Sequence, residues 1–212
     1  MSRKLLMSNS LFDDSGIIKK NLIFHLDATN NTRTLSCSSI VSWHDLSGNN
    51  YDLKGSFTVN DKNITLKSEG TLTLAKVIDL SKCTIELRCK PLYSFTILLG
   101  ITTSTGSSFV QFPQFMASTT AKLLSANIGT FGTSSLVSNF YTYTITFDKG
   151  EYVGYLDGVK KFSGTKTSGT TPYEWSSFTL YNGYYSSIRI YNDVLSESDV
   201  LPNYNNDIKI YS

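Results

Sequence analysis

The chain has few charged residues, few basic clusters and no long apolar run. Charged residues make up 17% of its 212 residues and the net charge is +2, so no strong basic field favours nucleic acid as a partner. The apolar run Leu5–Met7 is too short for a secretory signal, and no stretch is long enough to cross a membrane. We therefore expect no nucleic-acid partner, no membrane insertion and synthesis in the cytoplasm.

Cysteine is also scarce. The count of three is odd, which argues against a disulfide framework. Cys83 and Cys89 lie on one predicted strand, where an extended backbone would hold them ~20 Å apart, too far for a disulfide. Together with Cys37 they are typical of small buried hydrophobic side chains in a reducing compartment.

Alanine is scarce as well, and no long helical stretch stands out. In its place the chain has 13% aromatic residues and abundant Ser, Thr and Asn, a composition that favours strands and turns. A length of 212 residues suits one large β domain, since sandwiches of this size often form a single core.

Alternation of apolar and polar residues is the strongest signal. Residues 83–90 alternate strictly, with Glu86 and Arg88 on the polar face, as in a strand with one face in the core and one in solvent. Residues 141–147 repeat the pattern, and Asp157-Gly158 predicts a two-residue hairpin because both positions need positive φ. Shorter alternations predict strands near residues 22–28, 51–59, 63–67, 71–75, 95–101, 108–112, 122–128, 152–156, 159–162, 178–181 and 187–191.

The two ends of the chain differ from its middle. Residues 1–20 lack clean periodicity and are predicted to be a separate N-terminal arm, either loosely packed or docked on a neighbouring subunit, with the domain proper spanning residues 21–212. Near the other end, Ser196 and Asp199 resemble a capping box. Pro202 predicts that only a short helix follows, and the alternation at residues 208–210 suggests one last strand.

Three groups of segments, taken in order, match a known pattern. They are Leu26–Ala28 with Trp43–Asn49, Thr84–Leu87 ahead of Lys90–Pro91, and Tyr155–Val159 with Ile188–Asn192, Leu195–Glu197 and Asn203–Asn205. Over residues 21–206 the chain thereby resembles the laminin-G-like branch of the concanavalin A-like lectin/glucanase superfamily. The resemblance implies an all-β jelly-roll of two packed antiparallel sheets with one short helix near the C-terminus. It does not imply sugar binding, because this fold serves lectins, glycosidases and interaction modules alike.

The resemblance also implies a setting. Without a recognisable signal peptide and with an Asn- and Thr-rich surface, the chain is similar to modules of bacteriophage tail and baseplate proteins. A virion component is therefore expected. Two residues depart from the family's pattern and blur any transfer of site residues: His25, where similar chains carry an aromatic or aliphatic residue, and Pro202, which interrupts the helix.

No catalytic set is apparent. A glycosidase of this superfamily is expected to carry Glu-x-Asp-x-x-Glu on one strand, because retaining hydrolysis needs two carboxylates about 5 Å apart. Glu86 is the only carboxylate on its strand, and we expect it to form a solvated pair with Arg88. His25, His44 and Asp45 lack a suitably placed nucleophile. The sequence thus predicts that the chain is not an enzyme.

Two candidate binding sites remain. An aromatic run near the C-terminal end could stack on sugar rings and bond to hydroxyl groups, although some of its tyrosines could instead pack in the sandwich; its members are Trp175, Tyr181, Asn182, Tyr184 and Tyr185. Some relatives carry calcium, for which Asp27, Asp45 and Asn49 supply oxygen ligands. The same Ser-Gly-Asn-rich segment is equally what a tight turn requires.

The function expected from these observations is binding or assembly. One hypothesis is a structural module of a virion that contacts other virion proteins, or a second copy of itself, through residues 1–20. The alternative is a lectin-like protein that recognises a bacterial surface glycan, with or without Ca²⁺. A glycoside hydrolase is the third reading, and only the superfamily motivates it.

Overall fold

The computed structural model describes residues 16–29, 39–60, 62–66, 70–79, 81–92, 97–103, 114–116, 120–123, 126–131, 139–165 and 174–211. These residues form an all-β sandwich of two antiparallel sheets with one C-terminal helix, as predicted. The elements are β1 (Leu22–Asp27), β2 (Ser39–Trp43), β3 (Leu53–Asn60), β4 (Asn63–Leu66), β5 (Gly70–Asp79), β6 (Lys82–Pro91), β7 (Ile97–Thr103), β8 (Gln114–Met116), β9 (Thr120–Leu123), β10 (Ala126–Thr130), β11 (Tyr141–Asp148), β12 (Glu151–Leu156), β13 (Val159–Thr165), β14 (Glu174–Leu180), β15 (Gly183–Tyr191) and α1 (Glu197–Tyr211).

The larger sheet has nine strands within the part of the chain that the structure describes. Their order is β13-β12-β11-β6-β15-β4-β3-β2, and β1 pairs with β15 beside β4. The second sheet has six strands in the order β10-β9-β8-β7-β14-β5. The chain crosses from the second sheet to the larger one between β14 and β15. The neighbouring strands β6 and β15 of the larger sheet come from distant parts of the sequence.

The inward-facing residues of the central strands form the core. On β6 the alternation places Cys83, Ile85, Leu87 and Cys89 inside, each at most 1% exposed, which confirms that these two cysteines are buried. Full burial of such side chains contributes about 1.5–3 kcal/mol each. The third cysteine, Cys37, lies outside the described residues.

Three of the predicted strands, near residues 141–147, 152–156 and 159–162, form a meander. Strands β11, β12 and β13 pair in sequence, and the turn between β12 and β13 has φ of 52° at Asp157 and 74° at Gly158. These are the left-handed values that a two-residue hairpin demands. The prediction from Asp157-Gly158 is therefore confirmed.

Phe162 closes the sandwich at one side. Its ring lies against Gly154 of β12 and Gly129 of β10, where an added Cβ atom would approach to 2.0 Å and 2.3 Å respectively. The ring also packs edge-on against Phe131 at 5.2 Å between centroids. Only glycine fits beside this ring, so the two sheets meet here through one aromatic side chain and two residues without side chains.

The C-terminal helix differs from its prediction. α1 runs over 15 residues and contains Pro202 in its interior, so the helix is longer than expected and the predicted strand at residues 208–210 is wrong. Asp199 accepts hydrogen bonds from both the backbone amide and the hydroxyl of Ser196, which confirms the predicted cap. The helix continues past Pro202 because tertiary burial of Val200, Asn203 and Asp207 outweighs the cost of one lost backbone bond.

The N-terminal boundary shifts slightly. Ile17 and Ile18 pack on the domain, since they are 1% and 3% exposed and Ile18 joins a cluster with Leu195 and Val200. A separate arm can therefore extend no further than residue 15, and residues 1–15 lie outside the described part.

Two further strand predictions have different outcomes. The region 122–128 contains parts of two strands, β9 and β10, where one was expected. The predicted strand at 108–112 lies outside the described residues. Among the described residues, none of the helical structure is both long and apolar enough to cross a membrane.

Candidate functional site

The outer face of the larger sheet carries polar side chains and is divided into two parts by α1. The covered patch lies under the helix, and its polar members are Thr84, Glu86, Arg88, Thr142, Thr144, Thr146, Ser187 and Arg189, each at most 6% exposed. Alternation predicted this face to be solvated, with Glu86 and Arg88 as an exposed pair. That prediction is wrong because α1 lies over the strands and removes these side chains from water.

An arginine held by two carboxylates lies at the centre of the covered patch. Arg189 of β15 forms ion pairs with Glu86 of β6, at 3.6 Å, and with Asp207 of α1. It also donates to the hydroxyl of Ser187 at 3.1 Å. Since all three charged groups are at most 1% exposed, the pairing offsets a desolvation cost of several kcal/mol per ion.

Asn203 of α1 links this ion cluster to two other parts of the fold. Its amide donates to Glu86 at 2.7 Å and to the hydroxyl of Tyr191 at 3.0 Å. Its carbonyl oxygen accepts the backbone amide of Ile18 at 3.2 Å. One side chain therefore ties the helix, the sheet and the N-terminal segment together.

Burial is the largest influence on the pKa values of the two carboxyl groups in this cluster. It raises the pKa of Glu86 to about 7, against the opposing effects of Arg189 and of the hydrogen bonds from Asn203 and Thr144. Burial likewise raises the pKa of Asp207 in spite of Arg189 and Arg88. A carboxyl group with such a pKa is suited to acid–base chemistry, but at 1% exposure Glu86 cannot meet a polysaccharide while α1 is docked.

The last turn of α1 marks the edge of the covered patch. The guanidinium of Arg88 lies over the ring of Tyr211, 5.9 Å from its centroid, and donates to the hydroxyl of Thr142 at 3.1 Å. Two positions further along β6, Lys90 is only partly buried. The sheet face is therefore open beyond Arg88.

The open part contains a row of side chains that we call the open row: Lys90, Tyr184, Thr65 and Thr58. Lys90 of β6 pairs with Tyr184 of β15, Tyr184 with Thr65 of β4, and Thr65 with Thr58 of β3. Directly opposed residues bring their Cβ atoms to within about 5 Å, so the row crosses four strands over about 14 Å. Lys90, Tyr184 and Thr58 are partly exposed.

Two asparagines extend the open row at the β3–β4 hairpin. The amide of Asn60 donates to the carbonyl oxygen of Asn63 and to the hydroxyl of Thr65, both at 2.8 Å. The row thus presents one aromatic ring, one ammonium group, the Thr58 hydroxyl and two amides on a single sheet, and Thr65 lies buried between them at 8% exposure. Sequence reasoning missed all of these residues except Tyr184, because alternation gives the face of a strand but not which strand lies beside it.

The structure divides the predicted aromatic site. Tyr185 is 0% exposed and lies in the core, with its hydroxyl donating to the backbone carbonyl of Tyr181, so its prediction as a ligand contact is wrong. Tyr181 and Asn182 lie where the chain crosses between the sheets, and Tyr184 is on the outer face. Trp175 lies in β14, and its side chain is outside what the structure describes.

The predicted calcium ligands have other partners. The two carboxylate oxygens of Asp45 accept hydrogen bonds from the amides of His25, Ser47 and Tyr51 and from the hydroxyl of Ser47, at 2.7–3.1 Å. Asn49 donates to the carbonyl of Ile23 and to Ser47, both at 3.0 Å. These hydrogen bonds are those of a tight turn, which is the alternative that the composition of the segment favours.

The carboxylate of Asp27 has hydrogen-bond partners outside this turn. Its carboxylate accepts the amide and the hydroxyl of Thr29 at 2.8 and 2.7 Å, and it is 3% exposed. His44 pairs with Asp52 at 2.8 Å rather than with Asp45. Within the described ranges, no three or more His, Cys, Asp or Glu side chains are grouped so that they could hold a metal ion.

Comparison with known proteins gives no family but a clear likeness of fold. No protein-family model matches the chain, and no curated protein matches it in sequence. Among solved structures, Trypanosoma rangeli sialidase has a TM-score of 0.62 at 13% identity, over 91% of this chain and 34% of the sialidase. The chain therefore spans about a third of the length of the sialidase structures that it resembles.

Two other solved structures are similar. Domain 4 of AbnA, a GH43 extracellular arabinanase from Geobacillus stearothermophilus, in complex with arabinotriose, has a TM-score of 0.58 at 19% identity, over 87% of this chain and 98% of that domain. The HCR/D F1240A mutant has a TM-score of 0.67 at 13% identity, over 91% of this chain and 53% of that one. At these identities the likeness shows the fold alone, a β-sandwich.

One prediction is corrected by these likenesses. The missing carboxylate motif led to the expectation that the chain is not an enzyme, and that expectation is contradicted. The solved structures that share its fold include sialidases and a domain of a GH43 arabinanase, so the fold is one that occurs within glycoside hydrolases. The absence of one expected motif was an insufficient ground for setting the chain apart from them.

Proposed function

We propose that this domain recognises a glycan through the open row, with Tyr184 as the ring on which a sugar stacks. The observation that carries the proposal is the position of Tyr184, partly exposed on the outer face of the larger sheet and flanked on neighbouring strands by Lys90 and Thr65. A rigid tyrosine provides contact area at low entropic cost, and nearby hydroxyls and amides provide the hydrogen bonds that sugar hydroxyls require.

The likeness to a carbohydrate-bound domain supports the proposal. Domain 4 of the arabinanase is matched over 98% of its length and was solved in complex with arabinotriose. The match therefore includes almost the whole of that domain, together with 87% of this chain. Glycan recognition by a sandwich of this size is therefore physically reasonable for this chain too.

The biological setting follows from the sequence resemblance alone. A virion component that attaches to a bacterial surface glycan would combine the two binding hypotheses, with residues 1–15 as the segment left to contact other virion proteins or a second copy. This setting stays a prediction, and the glycan site does not depend on it.

A glycan array probed with the purified chain, in the presence and absence of calcium, tests the proposal. We expect binding to at least one class of glycan, a loss of at least tenfold in affinity for Tyr184→Ala, and retention of most affinity for Tyr184→Phe, which keeps the ring. Binding to none of the glycans would overturn the proposal, and unchanged affinity of Tyr184→Ala would remove the site from the open row.

A further inference from the structure

Lys90 is the charged member of the open row, and its surroundings differ from those of the other lysine on the same strand. Lys82, at the far end of β6, forms an ion pair with Asp193 at 2.7 Å. Lys90 has no ion-pair partner among the residues that the structure describes. Lys82 is thus paired within the fold, while Lys90 lies partly exposed on the face where we place the ligand.

The residues around Lys90 do not neutralise it. Its cross-strand neighbour Tyr184 is uncharged, and so are Thr65, Thr58, Asn60 and Asn63 further along the sheet. The nearest outward side chain on its own strand is Arg88, which contacts Tyr211 and Thr142. Arg88 also has the carboxylates of Asp157 and Asp207 near enough to offset its charge. Beyond it, Glu86 is buried and paired with Arg189. The described part of the open row is therefore electropositive.

The ammonium of Lys90 and the ring of Tyr184 are positioned to act on the same sugar residue. Opposed side chains on neighbouring strands have Cβ atoms about 5 Å apart, a spacing comparable with the width of one pyranose ring. A sugar stacked on Tyr184 would place a substituent on its Lys90 side within reach of the long, mobile lysine side chain. On the Thr65 side it would meet hydroxyl and amide groups, which suit neutral hydroxyls.

We infer that the open row selects an anionic glycan, in which a carboxylate or sulfate on the stacked sugar pairs with Lys90. The inference rests on the proposed function, because it names the ligand class of that same site. A charge-assisted hydrogen bond contributes more than a neutral one and is roughly twice as strong. Loss of that bond is therefore expected to reduce affinity about tenfold or more.

The test compares acidic polysaccharides with their carboxyl-reduced derivatives, which keep the linkage and ring but lose the charge. Binding is measured by calorimetry for the wild-type chain and for Lys90→Gln, Tyr184→Ala and Lys160→Gln. Lys160 is an exposed lysine on the edge strand β13, so Lys160→Gln removes the same charge away from the open row. Raising salt from 50 to 500 mM provides a second readout, because a partly exposed ion pair is weakened by screening.

The expected result is preference for the acidic polymer by tenfold or more. That preference should disappear in Lys90→Gln, persist in Lys160→Gln and diminish at high salt. Equal binding of acidic and reduced polymers that is lost in Tyr184→Ala but not in Lys90→Gln would overturn the inference and leave the proposed function intact. Binding to neither class would overturn both.

Discussion

The covered patch and the open row lie on the same face of the same sheet and share two of its strands, β6 and β15. In the covered patch, α1 removes Glu86 and Arg189 from water, and both become part of an internal network with Asp207. In the open row, Lys90 and Tyr184 remain partly exposed. The comparison shows what α1 does to this face: polar residues beneath the helix become part of a buried network, and those beyond it stay accessible to a ligand.

The largest expected effect is on the stability of the covered patch. Arg189→Met leaves the carboxylates of Glu86 and Asp207 buried without their cation, so we expect the free energy of unfolding to fall by about 3–5 kcal/mol. Chemical denaturation monitored by circular dichroism measures this loss. Lys90→Gln is the control from the open row, and its change should stay within about 0.5 kcal/mol. Equal losses in the two variants would erase the distinction between the two parts.

Removing all three charges of this network together tests whether the stability lost in Arg189→Met comes from unpaired buried charge. In the triple variant Glu86→Leu, Arg189→Met, Asp207→Leu no buried charge is left unpaired. We therefore expect most of the stability lost in Arg189→Met to be recovered. A triple variant that is less stable than the single one would show that the ion cluster contributes net stabilisation beyond mutual neutralisation.

The pH dependence of stability is the next effect. Burial raises the pKa of Glu86 to about 7 from an ordinary value of 4.5, so between these pH values the folded chain holds a proton that the unfolded chain releases. Stability should therefore decrease as pH rises from about 4.5 to about 7 and level off above that, by on the order of 3 kcal/mol. Asp207, whose pKa is also raised, acts in the same direction.

The measurement for this effect is the free energy of unfolding between pH 4 and 8 for the wild type and for Glu86→Gln. The difference between the two curves isolates Glu86 from groups of opposite sign, such as Asp193, whose pKa is lowered by its hydrogen bond with Lys82. Curves that remain parallel over the whole range would refute the role assigned to Glu86.

The smallest effect concerns the start of α1. Ser196 forms the cap with Asp199, and Ser196→Ala should reduce the free energy of unfolding by about 1 kcal/mol. Because the cap is exposed and lies outside the ion cluster, this loss should be the same at pH 5 and pH 8. A loss that changes with pH in step with Glu86 would mean that the cap and the cluster are coupled.

The sequence predicts the inner half of this fold well. Strict alternation at residues 83–90 and 141–147 identifies which side chains enter the core, because the period of a strand is two whatever lies around it. The Asp157-Gly158 turn is equally local, since its backbone angles restrict the residue types. These features depend on neighbours in the chain and not on tertiary contacts.

The outer half could not be predicted in the same way. Alternation separates two faces but does not say what covers the polar one. The buried positions of α1 were hidden because two of the three, Asn203 and Asp207, are polar and follow Pro202. Their spacing from Val200, three and seven residues, is nonetheless that of one helix face. The open row was missed because it depends on how β15 pairs with β6 and with β4, which are distant from it in the sequence. Alternation within one strand does not show that pairing.

The central claim is that the open row, not the covered patch, contacts the ligand. The most direct measurement is the glycan affinity of Tyr184→Ala relative to the wild type, together with its free energy of unfolding. We predict a loss of affinity of at least tenfold while the free energy of unfolding changes by less than about 1 kcal/mol, since Tyr184 lies on the partly exposed face. Full retention of affinity in a stably folded Tyr184→Ala variant would contradict the account.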